Sequence, residues 1–256
     1  MLTLIYSLLS VVSVSFISII IIYYLLGRVA NLSRYIVYLV SLAVGTLFGD
    51  AFIHLLPEAS ETIGEGLVVP FLTISGIIIF FILEKIVRWR HCHNPDCCSQ
   101  EDDDGHHSEH VVANSLAGEV LHNFIDGVII ASSFMVSPSL GVITTVAVLL
   151  HEIPQEIGDF AIYVHQGKTL FQALKLNLFT AASSIVGVLF TFLLGNLVED
   201  FSVYMLPVTA GGFIYLASSD LIPEIHRHQS DKWSSLVQVL FILLGVALMA
   251  SLMLLE

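Results

Sequence analysis

Charged side chains are scarce in this sequence. Asp, Glu, Lys and Arg together make up 12% of its 256 residues, whereas they make up about 25% of a typical soluble domain. Hydrophobic residues account for 56% of the chain, and its mean hydropathy is +0.88. This composition excludes an ordinary soluble domain and predicts a membrane protein.

Long apolar runs account for this composition. A helix that crosses a bilayer needs roughly 20 mostly apolar residues. No small-residue cleavage pattern ends the first run, so we expect a retained helix there rather than a signal peptide. The sequence predicts an all-α polytopic membrane protein with eight transmembrane helices, at 2–26, 34–56, 67–88, 111–135, 139–165, 170–195, 201–222 and 235–255.

Basic residues are few, and they all lie in alternate connections between the runs or at the ends of the runs that flank those connections. Alternate connections must share one side of the membrane, and the positive-inside rule assigns the basic side to the cytoplasm. Both chain termini are therefore predicted to lie outside. The nine basic residues are Arg28, Arg34, Lys85, Arg88, Arg90, Lys168, Lys175, Arg227 and Lys232.

Cysteine is nearly absent, and none of the three cysteines lies within an apolar run. A metal site inside the membrane would therefore use nitrogen and oxygen ligands. The thiols lie instead in the polar segment 91–110, HCHNPDCCSQEDDDGHHSEH, which is predicted to be a disordered cytoplasmic loop. This loop divides the chain into 1–90, with helices 1–3, and 111–256, with helices 4–8.

The loop also concentrates histidine, although its spacing matches no closed zinc module. One interpretation is a loose cytosolic metal trap or sensor, and the other is a solvated acidic linker with incidental histidines. We favour weak metal binding, and we expect no structural disulfide in the cytoplasm. The candidate ligands are His91, Cys92, His93, Cys97, Cys98, His106, His107 and His110.

Four of the predicted helices carry stacked carboxylate, imidazole or amide groups, which are costly in a membrane and indicate function. A single His or Asn would more often be an interhelical hydrogen-bonding residue. Here the groups recur at spacings that share a helix face, so they predict a polar column that holds Zn²⁺, Fe²⁺ or Mn²⁺. They are Asp50, His54 and Glu58 in helix 2; His122, Asn123 and Asp126 in helix 4; His151, Glu152, Gln155, Glu156 and Asp159 in helix 5; and Asp220 and Glu224 in helix 7.

The stretch LHEIPQEIGDF in helix 5 is close to H-E-x-x-H, the pattern of zinc proteases, in which the glutamate acts as the base. Here Gln155 replaces the second histidine, a zinc ligand in those enzymes. An intramembrane zinc protease with Glu152 as base is therefore an alternative that this substitution disfavours. A metal channel or sensor is a further alternative. The phosphate-binding pattern G-x-x-x-x-G-K-[ST] is absent, which argues against ATP as the direct energy source.

A short motif occurs twice, in helices that are predicted to run in opposite directions. Helix 2 ends in His54-Leu-Leu-Pro-Glu58, and helix 7 ends in Asp220-Leu-Ile-Pro-Glu224. A motif repeated in this way predicts an inverted repeat, as in transporters whose substrate binds between the two halves. The expected bundle has a 3+2+3 arrangement of helices.

Several of these stretches resemble the ZIP (Zrt-/Irt-like) family of metal transporters. They are LAGEVLHNFIDGVIIASSF, LLHEIPQEIGDFAIYVHQG, AVGTLFGDAFIHLLPEA and ASSDLIPEI. The resemblance covers the membrane part of the chain and implies movement of zinc or a related ion into the cytoplasm. It also implies metal-binding roles for His122, Asn123, Asp126, His151, Glu152, Gln155 and Asp220. The related subfamily reads HExPHE where this chain has Gln155, which bears on metal preference.

These observations predict a transporter with no catalytic cofactor, whose cargo is Zn²⁺, or else Fe²⁺, Mn²⁺ or Cd²⁺. The ion would enter past His54 and Glu58, with Asp50 on the same path, and would leave past Asp159, Asp220 and Glu224. The expected partners are the divalent ion and the lipid bilayer, without nucleic acid, and a homodimer is left open. The plasma membrane is the expected location, with an organelle membrane as the alternative.

Overall fold

The computed structural model describes residues 2–26, 32–64, 66–89, 106–195, 197–198, 200–227 and 232–255. Within these residues, eight helices are long and apolar enough to cross a membrane, which confirms the predicted number of spans. They are α1 (Leu2–Leu26); α2, residues 32–63; α3 (Val68–Trp89); α4 (His106–Val136); α5 (Pro138–His165); α6 (Leu170–Gly195); α7, residues 201–227; and α8 (Lys232–Leu252), followed by a 3₁₀ turn (Met253–Leu255).

One predicted boundary needs correction. Helix α4 begins at His106, so the last five residues of the segment predicted to be a disordered loop are helical. Extending an existing helix costs far less than nucleating one, which favours continuation of α4 beyond its apolar part. The other candidate ligands in the loop, His91, Cys92, His93, Cys97 and Cys98, lie outside the described residues.

The four helices that carry the predicted polar column lie at the centre of the bundle. Of the apolar stretch of each helix, 61% is buried in α2, α4 and α5 and 50% in α7. The corresponding shares are 11–33% in α1, α3, α6 and α8, which therefore form the outer layer. The ionisable residues predicted from sequence are thus carried by the helices that other helices shield best from lipid.

Reciprocal glycine contacts join the helices in pairs. A Cβ atom on Gly127 of α4 would lie 2.0 Å from the carbonyl oxygen of Ser184 in α6, and one on Gly187 of α6 would lie 2.0 Å from that of Phe124 in α4. Small residues allow this backbone-to-backbone approach, which favours association of helices in lipid. The same arrangement recurs at Gly76 and Gly211, between α3 and α7, and at Gly45 and Gly245, between α2 and α8.

Helices α2 and α7 each contain a π-helical turn next to the repeated motif. In α2 the Leu56 N–H donates to the Ala51 carbonyl, and in α7 the Ile222 N–H donates to the Ala217 carbonyl, both five residues back. The π-helical turns are Asp50–Leu55 and Ala217–Leu221, each followed by one further short helix, Leu56–Ile63 or Ile222–Arg227. The two motifs therefore share their backbone geometry as well as their sequence.

Candidate metal site

Four side chains from α4 and α5 converge at the centre of the bundle. The Nε2 atom of His122 lies 3.3 Å from Nε2 of His151, 3.3 Å from Oε1 of Glu152 and 3.5 Å from Oδ2 of Asp126. His151 Nε2 lies 3.4 Å from the same Asp126 oxygen. Donor atoms of all four residues lie within 4.8 Å of one another, an arrangement that one metal ion could bridge.

Helical periodicity explains how these four side chains meet. His122 and Asp126 are four residues apart, so they lie one above the other on one face of α4. In α5, the Nδ1 atom of His151 lies 3.2 Å from the Ala147 carbonyl of the preceding turn, to which it can donate. This contact directs Nε2 toward the other three residues and selects the tautomer whose Nε2 lone pair can bind metal.

The site is buried but only partly satisfied by protein hydrogen bonds. Asp126, His151 and Glu152 are each at most 2% exposed. Both carboxylate oxygens of Asp126 and Oε1 of Glu152 form no hydrogen bond with the protein. Buried carboxylates without hydrogen bonds are costly, and a bound cation would remove that cost. Two imidazoles and two carboxylates form the mixed donor set that zinc and similar ions accept.

A second acidic group shares Glu152 with the first, and it contains a residue that the sequence analysis did not single out. Oxygens of Glu119, Glu152 and Glu156 lie within 4.8 Å of one another, and all three residues are buried. Asn123 Nδ2 donates to Oε1 of Glu119 over 2.8 Å, and Gln155 Nε2 donates to Oε2 over 3.4 Å. Here the two amides orient a carboxylate through their nitrogens.

Glu156 is oriented in turn by α6. The Nδ2 atom of Asn177, a fully buried residue that was also missed, donates to Oε2 and, over 3.2 Å, to the carbonyl of Glu156. The remaining oxygen, Oε1, is buried and has no hydrogen bond. The acidic group therefore depends on α4, α5 and α6 together.

We call His122, Asp126, His151 and Glu152 the mixed group, and Glu119, Glu152 and Glu156 the acidic group. A cavity of about 500 Å³ adjoins the mixed group. Its lining includes His122 and His151 of that group, together with Pro154 and Gln155. Pro154 lacks an N–H, so it leaves the carbonyl of Leu150 without its helical donor. The cavity continues to the three acids that sequence predicted for the exit path, Asp159, Asp220 and Glu224. Asp220 lines the cavity rather than belonging to the cluster of four donor residues.

The residues predicted for the entrance lie elsewhere. Asp50 is fully buried and His54 is 2% exposed, while Glu58 is partly exposed. The Nε2 atom of His54 lies 2.9 Å from the carbonyl oxygen of Met249 in α8, so its ring contacts helix backbone. None of the three lines the cavity of about 500 Å³.

Comparison with known proteins agrees with this geometry. The chain matches the sequence profile of the family described as ZIP Zinc transporter over residues 1–115 and 89–253. The chain belongs to the ZIP zinc transporter family. This family consists of transporters rather than enzymes, and with eight membrane-length helices the chain is a multi-pass membrane protein.

Individual members of the ZIP family align over most of this chain. Zinc transporter ZIP13 of Pongo abelii is 35% identical over 82% of the chain, and the alignment spans 65% of that relative, slightly less than two thirds. Zinc transporter zipt-7.1 of Caenorhabditis briggsae is 30% identical over 96% of the chain and 78% of the relative. Zinc transporter YKE4 of Saccharomyces cerevisiae is 32% identical over 83% of the chain and 69% of the relative.

Proposed function

We propose that this protein carries a divalent transition-metal ion, Zn²⁺ in the first place, across a membrane into the cytoplasm. The observation that supports this function best is the convergence of His122, Asp126, His151 and Glu152 beside a cavity whose wall contains both histidines. A catalytic metal centre needs one site, whereas transport needs a site connected to a path. The named relatives are zinc transporters, which agrees with this assignment.

The ion would be held by the mixed group and then released along the cavity. Loss of its water shell would be offset by two imidazoles and two carboxylates, of which Asp126 has no protein hydrogen bond on either oxygen and Glu152 has none on Oε1. Release would proceed past Asp159, Asp220 and Glu224, toward the side that the basic connections assign to the cytoplasm. Protons compete with metal for the same imidazole and carboxylate atoms, so protonation would assist release.

Access from the opposite side would require a rearrangement. His54 is buried against Met249, and we propose that it belongs to an entrance path, with Asp50 and Glu58, that is closed in this conformation. The repeated motif and its two π-helical turns support movement of one helix group against the other, since repeats allow the two ends to exchange roles.

The second acidic group would provide a neighbouring site with Glu152 as the bridging residue. Its ligands would be oxygens only, a donor set that suits harder ions such as Mn²⁺ better than the mixed group does. Fe²⁺, Mn²⁺ and Cd²⁺ are therefore the competitors to test beside Zn²⁺. The plasma membrane and a homodimeric assembly stay predictions from the sequence.

Uptake of radiolabelled zinc into proteoliposomes tests this function. The comparison is between the wild type and His122→Ala, with manganese, iron and cadmium as competitors. We expect saturable uptake by the wild type and none above background in the variant, because His122 lies within 3.5 Å of the other three ligand residues. A folded, inserted wild type that takes up none of these ions would refute the transport function.

A further inference from the structure

A second cavity, of about 220 Å³, reaches the metal site from another direction. It lies between α3, α4, α5 and α7, whereas the larger cavity is lined by α2, α4, α5 and α7, so the two differ by α3 and α2. His122, Gln155, Leu216 and Asp220 line both cavities. Because a water molecule occupies about 30 Å³ in the liquid, the second cavity has room for several. The metal site thus adjoins two cavities, and Asp220 lies in the wall of each.

The wall of the second cavity contains a carboxylate, Glu84, that the proposed transport path does not use. It lies in α3, the helix with the smallest buried share, near the end of the apolar stretch Val68–Ile86, and it is partly buried and directly precedes Lys85. Tyr215 of α7 donates its hydroxyl hydrogen to Oε2 of Glu84. A phenol is a neutral donor, so this hydrogen bond orients the carboxylate without neutralising it.

The position of Tyr215 connects this carboxylate with the main path. Tyr215 lies two residues before the π-helical turn Ala217–Leu221, which carries Asp220. The hydrogen bond from Tyr215 therefore holds Glu84 beside the part of α7 that faces both cavities. Glu84 and Asp220 thus place carboxylate oxygens in the wall of one cavity that has room for water, an environment that divalent cations accept.

We propose that Glu84 and Asp220 are the cation-binding residues of a second arm of the exit path, and that Tyr215 positions Glu84. The arm begins at His122 and Gln155 and accepts the same class of divalent ion as the larger cavity. This inference rests on the proposed function, because it assigns a second route to the ion held by His122. The alternative is purely structural, with the Tyr215–Glu84 hydrogen bond fastening α3 to α7.

The first experiment asks whether water and ions reach this cavity. Leu121 lines the second cavity only, whereas Ile78 lies on the outer surface of α3 and is 49% exposed. Leu121→Cys and Ile78→Cys would be made in full-length protein whose native cysteines are replaced by serine, and treated with a charged methanethiosulfonate reagent. We expect Leu121→Cys to react, and zinc to slow the reaction, while Ile78→Cys facing lipid stays unreactive. A Leu121→Cys protein that is folded yet unreactive would overturn the proposal.

The second experiment removes the charge of Glu84 while keeping the size of its side chain nearly constant. Glu84→Gln in the Leu121→Cys background is expected to raise the zinc concentration needed for half-protection about tenfold. Tyr215→Phe should raise it less, and Glu61→Gln, an exposed glutamate of α2 outside both cavities, should leave it unchanged. If Glu84→Gln lowers thermal stability but leaves zinc protection unchanged, the hydrogen bond is structural and the inference fails.

Uptake by the same proteins distinguishes failure of the second arm from failure of the proposed transport function. A wild type that transports zinc, with a Glu84→Gln variant indistinguishable from it in uptake and in protection, refutes the second arm and leaves the proposed function intact. A wild type without uptake refutes the proposed function itself. The protection measurement on Leu121→Cys still reports whether a cation binds in the cavity, since it needs no transport.

Discussion

Glu152 lies between two groups of side chains that differ in donor chemistry and in access. On one side, His122, Asp126 and His151 offer nitrogen and oxygen, and the two histidines line the cavity of about 500 Å³. On the other side, Glu119 and Glu156 offer carboxylate oxygen only, and neither lines the two cavities described above. The mixed group therefore adjoins a cavity through its two histidines, whereas the residues specific to the acidic group do not.

The groups also differ in how the protein supports them. The mixed group comes from α4 and α5 and leaves carboxylate oxygens without hydrogen bonds. In the acidic group, amides of Asn123 and Gln155 orient Glu119, and the amide of Asn177 in α6 orients Glu156. A carboxylate already engaged by amide donors gains less from a metal ion than one without them. We therefore expect the mixed group to dominate metal affinity and the acidic group to modulate it.

The strongest test of this comparison is loss of the residue that both groups share. Glu152→Gln removes a ligand charge from both sides of the site at nearly constant volume. We expect zinc uptake to fall to background and bound metal in purified protein to fall with it, as measured by proteoliposome uptake and elemental analysis. Uptake within a factor of two of wild type would show that neither group depends on Glu152 for transport.

A second test compares the contributions of the mixed group and the acidic group to zinc affinity. His122→Ala should weaken zinc binding by roughly 100-fold, because it removes the nitrogen that lies closest to three other ligand residues. Glu119→Gln should weaken it only about tenfold, the lower end of the range for residues that act through direct ligands. Isothermal titration of the detergent-solubilised proteins with zinc gives both constants. A larger loss of zinc affinity in Glu119→Gln than in His122→Ala would show that the acidic group dominates zinc binding.

A third test measures how much the close contact between α4 and α6 contributes to stability. Gly127→Val places a side chain where a Cβ atom would lie 2.0 Å from the Ser184 carbonyl, so we expect a loss of at least about 1–3 kcal/mol in stability. Gly158→Ala is the control, because its Cβ atom would meet no atom within 4 Å. Thermal unfolding in detergent measures both. Equal midpoints for the two variants would show that the close contact between α4 and α6 contributes little.

The smallest effect is expected at Gln155, where the chain differs from the HExPHE pattern. Gln155→His removes the amide donor to Glu119 and adds an imidazole beside the mixed group. Because imidazole suits zinc better than it suits manganese, we expect zinc selectivity over manganese to rise a few-fold, roughly 1 kcal/mol or less. Competition uptake with both ions checks this. A shift toward manganese would show that an imidazole at position 155 does not join the zinc ligands.

The sequence predicted the number of helices because each one is a long apolar run. It predicted the four central helices because polar groups within a membrane helix are costly unless other helices shield them from lipid. It also singled out His122 and Asp126, which helical spacing places on one face of α4, and His151 and Glu152, which are neighbours in α5. Those predictions need no knowledge of how helices pack.

Other features depend on contacts between helices that no local pattern records. Glu119 could have been found, because it lies one turn before Asn123 on the same helix. Asn177 could not, because a lone amide in an apolar helix normally signals only an interhelical hydrogen bond. The π-helical turns were also missed, since an ordinary helix fits the same letters.

Those two turns have a consequence for how the chain tolerates change in length. A π-helical turn accommodates one residue more than the α-helix around it, as a single insertion would. Deleting Ala51 or Ala217 should therefore restore an unbroken α-helix with the residues beyond it on nearly their original faces, whereas a deletion elsewhere in the helix would rotate them by about 100°. In α7, a deletion within the turn would therefore keep Glu224 in the cavity wall. Each of the two turns is thus a place where the chain can lose one residue and keep the helix beyond it in register.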